Sequence, residues 1–134
     1  MNEREIAERA LKAFVDQNAA ACMRYFDDDV AYDAPPQVHL EGRFRLFQEL
    51  ALLLTPESGA RVTDFTITHV DTAGTPIRWV RATLQVAMTR DGRIFPNGET
   101  DYERRSTEVW FGIRDGKIAA VKALSSAQEW RLTF

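Results

Sequence analysis

The first half of the chain carries apolar side chains at every third or fourth position, which is the spacing of amphipathic helices. The first such stripe predicts a helix over about residues 2–15 and consists of Ile6, Ala7, Ala10, Leu11, Phe14 and Val15. Asn18 is placed to cap a short second helix that reaches Phe26 and ends in an acidic turn at 27–29. A further apolar stripe predicts a third helix over 42–54.

After Gly59 the pattern changes to alternation between apolar and polar residues, which is typical of strands with one buried face. Four stretches alternate in this way: 62–70, 77–88, 107–113 and 118–124. Asp115-Gly116 separates the last two, and this pair is a strong hairpin signal because it adopts positive backbone angles at little cost. A shorter strand at 30–32 precedes two consecutive prolines.

Helices grouped before strands indicate an α+β architecture in which the helices cover one face of a sheet. We predict one domain over residues 1–134, with three N-terminal helices in the concavity of a cone-shaped, curved antiparallel sheet. Such a concavity holds a small molecule unless side chains fill it. The sequence leaves both outcomes open, because apolar residues that line a pocket and those that fill a core look alike.

Composition narrows the classes of function. Acidic residues outnumber basic ones by 20 to 17, and the nearest approach to a basic cluster, Arg104-Arg105, is flanked by acids on what resembles a solvated strand face. Nucleic-acid binding is therefore not expected. No apolar run is long enough to cross a membrane. The single cysteine, Cys22, cannot form an internal disulfide, which favours a cytoplasmic protein.

The sequence implies no metal site and no cofactor. Its two histidines, His39 and His69, stand thirty residues apart and outside any spacing typical of metal ligands. The consecutive acids at 27–29 cannot converge on one ion from a single turn. No Gly-rich loop follows a predicted strand and opens a helix, as phosphate binding requires. We expect the protein to work without a cofactor.

The order of the elements and two short segments resemble the nuclear transport factor 2-like superfamily. The segments are 27–33, with the sequence DDDVAYD, and 114–118, with the sequence RDGKI. The resemblance covers nearly the whole chain and is strongest to the SnoaL-like polyketide cyclases and ketosteroid isomerases. It implies a cystatin-like fold around a small-molecule pocket. Because one such fold hosts many activities, the chemistry has to be argued from the site.

Asp33 is the first candidate for catalysis. The spacing of Asp27, Asp28, Asp33 and Gly42 resembles the surroundings of the catalytic aspartate of ketosteroid isomerase, which implies that Asp33 is a general base. Asp33 also ends a predicted strand just before Ala-Pro-Pro, where an aspartate commonly stabilises a bend. From the sequence both interpretations stay open.

His69 is the second candidate, because it shares strand parity with Phe65 and Ile67 and faces the concavity if they do. A hydrogen-bonded structural histidine is the alternative. The residues expected to hold substrate oxygens are His69, Tyr25, Tyr32 and Ser125. The expected apolar walls of the pocket are Leu50, Met88, Val109, Phe111, Val121 and Ala123.

Two functions from different classes follow from these residues. In the first, Asp33 removes a proton next to a carbonyl group of an apolar small molecule, as an isomerase, cyclase or dehydratase would. In the second, the protein is a non-catalytic ligand-binding or oligomerisation module. The second draws support from residues 107–117, which are similar to the association domain of calcium/calmodulin-dependent kinase.

A homodimer is also expected. One face of the long strand 77–88 mixes aromatic, cationic and hydrogen-bonding side chains, namely Trp79, Arg81, Thr83 and Gln85. Such a face either meets water or pairs with another subunit. The family resemblance implies pairing through the outer sheet face, with Trp79 and Arg81 near the contact.

Overall fold

The computed structural model describes residues 1–54, 60–73, 76–94 and 100–124. The described residues form three helices: α1 (Glu3–Val15), α2 (Ala19–Met23) and α3 (Arg43–Leu54). They also form six strands: β1 (Phe26–Ala34), β2 (Val38–Glu41), β3 (Ala60–Val70), β4 (Arg78–Ile94), β5 (Thr100–Arg114) and β6 (Lys117–Ala123). None of the described helices is both long and apolar enough to cross a bilayer.

The six strands make one curved, unclosed sheet in the order β2-β1-β6-β5-β4-β3, and the helices pack against it. Neighbouring strands are antiparallel except β1 and β6, which run parallel. The predicted α+β cone with its antiparallel sheet is confirmed, and the parallel pairing of β1 with β6 is a feature that was not predicted. A tight hairpin forces antiparallel pairing, whereas β1 and β6 are far apart in the chain and can pair in either direction.

The helix starts follow the capping signals of the sequence. The side-chain oxygen of Asn2 accepts a hydrogen bond from the backbone N–H of Glu5 at 2.9 Å, and that of Asn18 accepts one from Ala21 at 3.1 Å. Each bond satisfies an amide that the first helical turn leaves without a partner. The predicted first and third helices and the cap at Asn18 are confirmed.

The segment after α2 differs from its prediction. Phe26 opens β1 instead of extending the helix, and the acids at 27–29 lie within the strand instead of in a turn. Phe26 is 1% exposed and packs edge to face on Phe111, with ring centres 6.1 Å apart. That contact joins residues distant in sequence, so helical periodicity could not reveal it. The short strand β2, which pairs with the end of β1, was also not predicted.

The core lies between the helices and the concave face of the sheet. Its largest fully buried side chains include Leu11 from α1, Leu46 from α3 and Val80 from β4. Cys22 is 1% exposed, and burial raises the pKa of its thiol to about 12, so the group stays protonated and packs as a small apolar residue. Phe44, which belongs to the apolar stripe predicted for the third helix, is instead 73% exposed.

The predicted Asp115-Gly116 hairpin joins β5 to β6. Both residues have positive φ, 53° and 77°, as a two-residue turn of this kind requires. The turn sets the pairing of Arg114 with Lys117 and of Ile113 with Ile118, and a bulge beyond Ile113 then shifts the register so that Phe111 lies opposite Val121. The turn and this bulge together position two of the residues predicted to face the cavity.

Candidate functional site

One row of side chains crosses the concave face from β2 to β3, and the four side chains in the middle of the row are buried. The row consists of Leu40, Tyr32, Val121, Phe111, Val80 and Val70, one residue from each strand. Tyr32 and Phe111 are 2% exposed, Val121 is 3% exposed, and the neighbouring Val109 is 6% exposed. The structure brings these four predicted lining residues together, but as part of the core.

The concave face becomes polar further along β4 and β5. Thr107 lies opposite Leu84 and Arg105 lies opposite Val86. Directly opposed residues of antiparallel strands share a face, so both polar side chains lie on the side of the sheet that buries Leu84 and Val86. Thr107 is half-buried and Arg105 is exposed. We call Thr107, Arg105, Leu84 and Val86 the polar end of the concave face.

Arg105 is exposed on a strand, as predicted, but its position on the concave side of the sheet was not predicted. The signal was available, because counting back in twos from Phe111 passes through Val109 and Thr107 to Arg105. Strand parity therefore identifies the inward side of β5, provided that the strand continues unbroken. The predicted strand began only at Thr107, two residues after Arg105, whereas β5 begins at Thr100.

The remaining predicted lining residues are more open or lie elsewhere. Leu50 of α3, Ala123 of β6 and Tyr25, which lies between α2 and β1, are all half-buried. The backbone carbonyl of Tyr25 accepts a hydrogen bond from Ile118 at 2.8 Å, which ties this segment to the start of β6. The side chain of Met88 and the whole of Ser125 lie outside the described residues.

Glu49 of α3 is a second residue that the sequence interpretation missed. Its side chain is half-buried, and among the described residues its Oε1 atom is shielded from solvent without a hydrogen-bond partner. The helix contacts β2 and β1 at one edge of the sheet and β3 at the opposite edge. It therefore spans the concavity in front of the three strands between them, β6, β5 and β4. A buried carboxylate oxygen without a partner is costly and calls for an explanation in function.

Asp33 does not lie where the family spacing implied. Val30, Tyr32 and Ala34 are buried on the concave side of β1, and Asp33 alternates to the outer side with half of its side chain exposed. Its Oδ1 atom lies 2.6 Å from Nδ1 of His39 on β2. Asp33 therefore does not face the cavity, as the general-base interpretation requires, because the parity of the strand decides its direction.

The histidine beside Asp33 is held by two carboxylates. His39 Nε2 lies 3.3 Å from Glu41 Oε1, in addition to the contact of Nδ1 with Asp33. The hydrogen bond with Asp33, followed by that with Glu41, raises the pKa of His39 above its ordinary value. His39 was not among the candidate site residues predicted from the sequence.

His69 also lies on the outer face, so its predicted inward direction is wrong. Ile67 pairs with Ala82 and His69 pairs with Arg81, which leaves one extra residue in β3 between them. This bulge breaks the alternation and turns His69 away from the concave side. The ring of His69 is exposed and meets Trp110 edge on, with ring centres 6.2 Å apart.

Asp33 and His69 belong to a single row on the outer face, which we call the outer row. It runs through all six strands as His69, Arg81, Trp110, Lys122, Asp33 and His39. The Arg81 guanidinium lies 5.3 Å from the ring centre of Trp110, and Lys122 Nζ lies 5.0 Å from that of Trp79. These distances are typical of cation–π contacts, in which the ring and the cation shield one another from water.

The sequence matches no protein-family model, and a search of curated proteins also finds no match. Solved structures, in contrast, are similar over nearly the whole chain. A candidate polyketide cyclase from Xanthomonas campestris pv. campestris has a TM-score of 0.68 at 21% identity, over 95% of this chain and 92% of that chain. A ketosteroid isomerase-like protein from Erwinia carotovora atroseptica has a TM-score of 0.69 at 17% identity, over 94% and 98%.

A cystatin-fold protein from Novosphingobium aromaticivorans is also similar, with a TM-score of 0.63 at 19% identity, over 92% of this chain and 98% of that chain. At such identities the likeness concerns the fold. The chain has the nuclear transport factor 2-like, or cystatin-like, fold that its sequence resembles.

Proposed function

We propose that this chain binds an apolar, carbonyl-containing small molecule on its concave face and acts on it as an isomerase, cyclase or dehydratase. The polar end of the concave face carries this proposal, because it sets a hydroxyl and a guanidinium beside the buried apolar side chains of Leu84 and Val86. Pockets that bind small molecules combine apolar walls with a few such polar groups. The similar folds of candidate polyketide cyclases and of a ketosteroid isomerase-like protein agree with this class of chemistry.

Thr107 and Arg105 suit the stabilisation of a developing oxyanion. Two residues apart on one strand face, their Cα atoms are about 7 Å apart, a gap that the long arginine side chain can span. When a proton leaves the carbon next to a carbonyl group, negative charge moves to the carbonyl oxygen. Hydrogen-bond donors placed beside this oxygen lower the barrier.

We assign the proton acceptor to Glu49 instead of Asp33. Glu49 stands on the helix that spans the concavity and has a carboxylate oxygen shielded from water, whereas Asp33 points outward. The carboxylate takes the proton from the α-carbon, the electron pair of the broken C–H bond forms an enolate, and return of the proton to another carbon completes an isomerisation. No cofactor enters this sequence.

Hydrogen–deuterium exchange tests the proposal without knowledge of the natural substrate. An apolar cyclic ketone such as 2-tetralone is incubated with the protein in deuterated water, and NMR follows the loss of its α-proton signal. Wild-type protein should accelerate the exchange. Glu49→Gln should reduce that acceleration by about a hundredfold or more, the usual contribution of a general base. Glu41→Gln is the matched control, because this carboxylate is exposed on the outer face.

The alternative function is a non-catalytic ligand-binding or oligomerisation module, and the packed central row of the concave face favours it. This alternative predicts that the protein does not accelerate hydrogen–deuterium exchange of the ketone above the background rate, whether or not the ketone binds. Exchange that Glu49→Gln leaves unchanged would instead remove Glu49 from the mechanism. The same measurement on Arg105→Gln and Thr107→Val tests the oxyanion donors. Each substitution should reduce the acceleration of exchange at least tenfold.

A further inference from the structure

A groove of about 620 Å³ lies between α1, α2 and β3. Its apolar surface comes from Ala13, Ala21, Tyr25 and Phe65. Pockets for small organic ligands usually measure about 300–1,000 Å³, so the groove is large enough for one. It contains none of the residues that the proposed catalysis uses, so a ligand in the groove does not depend on that function.

Among the described residues, the charges around the groove leave one cation without an ion pair. Of the four charged groups on its rim, Glu8 pairs with Arg4 at 2.8 Å, and Lys12 pairs with Asp16 at 3.1 Å. The fourth, Arg9, is exposed and has neither an ion pair nor a hydrogen bond within the described part of the chain. Arginine presents a planar array of donors that matches a carboxylate in two parallel hydrogen bonds.

The groove also exposes aromatic surface. Phe65 lies opposite Leu84 in the sheet, yet it is only half-buried, and Tyr25 across the groove is half-buried too. The apolar residues that the helices contribute to the groove are Ala13 and Ala21, whose small side chains can cover little of the rings. A flat apolar ligand can therefore lie against both rings and recover the area that they expose to water.

We infer that this groove binds a small aromatic monocarboxylate, with its ring against Phe65 and Tyr25 and its carboxylate on Arg9. Arg9 is the one rim cation without an ion pair in the described part of the chain, and it matches a single negative charge. A phosphate dianion would bring a second charge close to the carboxylates of Glu8 and Asp16, which repel it. The geometry thus selects an acid of low charge with one ring.

Phenylacetate is a suitable probe, and phenylacetamide is its uncharged counterpart. Backbone amide NMR signals of wild-type protein should shift at the groove residues when phenylacetate is added, and less when phenylacetamide is added. Arg9→Gln should weaken phenylacetate binding about tenfold or more, since it removes a charge-assisted hydrogen bond. Arg45→Gln, on the exposed face of α3, is the matched control and should bind as wild type does.

A second variant tests the site by shape. Ala21→Leu places a larger side chain on the apolar surface of the groove and should abolish binding of both probes, while circular dichroism verifies that the helices remain. Three results would overturn the inference: no shifts at the groove with millimolar phenylacetate, equal affinity in Arg9→Gln, or undiminished binding in Ala21→Leu. Weaker binding at high salt is also expected, because the rim is exposed.

Discussion

Glu49 combines a cost to folding with a proposed role in proton transfer. Its shielded Oε1 atom loses hydration and gains no hydrogen bond among the described residues. Glu49→Leu should therefore raise the free energy of unfolding by about 1 kcal/mol while abolishing exchange activity. Urea denaturation measures the first effect. Gln48→Leu, at the exposed neighbouring position, should change stability by less than about 0.5 kcal/mol, and a clear loss of stability in Glu49→Leu would contradict the expectation.

Protonation of His39, on the outer face, makes the stability of the folded protein depend on pH. Its pKa in the folded protein lies above the ordinary value of 6.5, so the folded state binds the proton more tightly than the unfolded chain. The stabilisation is complete below pH 6.5 and is lost as the pH rises through the raised pKa. NMR titration of the imidazole should show this pKa directly. Asp33→Asn should lower it more than Glu41→Gln does, because Asp33 is the larger cause; the reverse order would refute the assignment.

At the scale of the elements, β4 and β5 pack through a glycine that makes room for a ring. A Cβ atom at Gly112 would lie 2.9 Å from Ile77 Cγ2 and 3.0 Å from Trp79 Cη2, so the indole could not keep its place. Gly112→Ala should destabilise the fold by about 1–3 kcal/mol through overpacking. The indole NMR signal of Trp79 should move as well, since the ring leaves its contact with Lys122.

Gly116 supplies the control for this element. It has a φ of +77° and no atom within 4 Å of an added Cβ, so Gly116→Ala strains the backbone without displacing a ring. About 1 kcal/mol of destabilisation is expected, with the Trp79 signal unchanged. If both variants moved that signal equally, the contact between Gly112 and Trp79 would not explain the effect.

For the whole molecule, we propose a homodimer formed through the outer row. The row is self-complementary: a second copy turned about a two-fold axis between Trp110 and Lys122 brings Arg81 of one copy against Asp33 of the other. The same rotation places Lys122 on the Trp110 ring of the other copy. Opposite charges and cation–π contacts then meet in pairs, as an isologous interface requires.

Light scattering tests the dimer, which should have twice the monomer mass of 15.3 kDa. Arg81→Asp should yield monomer because it opposes Asp33 with a like charge, and the double variant Arg81→Asp with Asp33→Arg should restore the dimer. Arg45→Asp on the exposed face of α3 should leave the mass unchanged. A monomeric wild-type protein at high concentration, or a double variant that fails to recover, would exclude this interface.

Local sequence patterns were sufficient to predict several of the helices, strands and turns of this molecule. The spacing of apolar residues identified α1 and α3, and strict alternation identified the buried side of β4. Asn18 and Asp115-Gly116 marked a helix start and a hairpin. Each of these features depends on residues a few positions apart, whose side-chain directions follow from helix or strand geometry alone.

The tertiary structure decided the site. The bulge before His69 reversed its face, the parity of β1 turned Asp33 outward, and the extension of β5 brought Arg105 to the concave side. Glu49 stands in front of the concave face because α3 spans it from β1 and β2 to β3. All of these depend on which distant strands pair and in what register, and that choice is made by burial of the whole core, which no local segment of sequence contains.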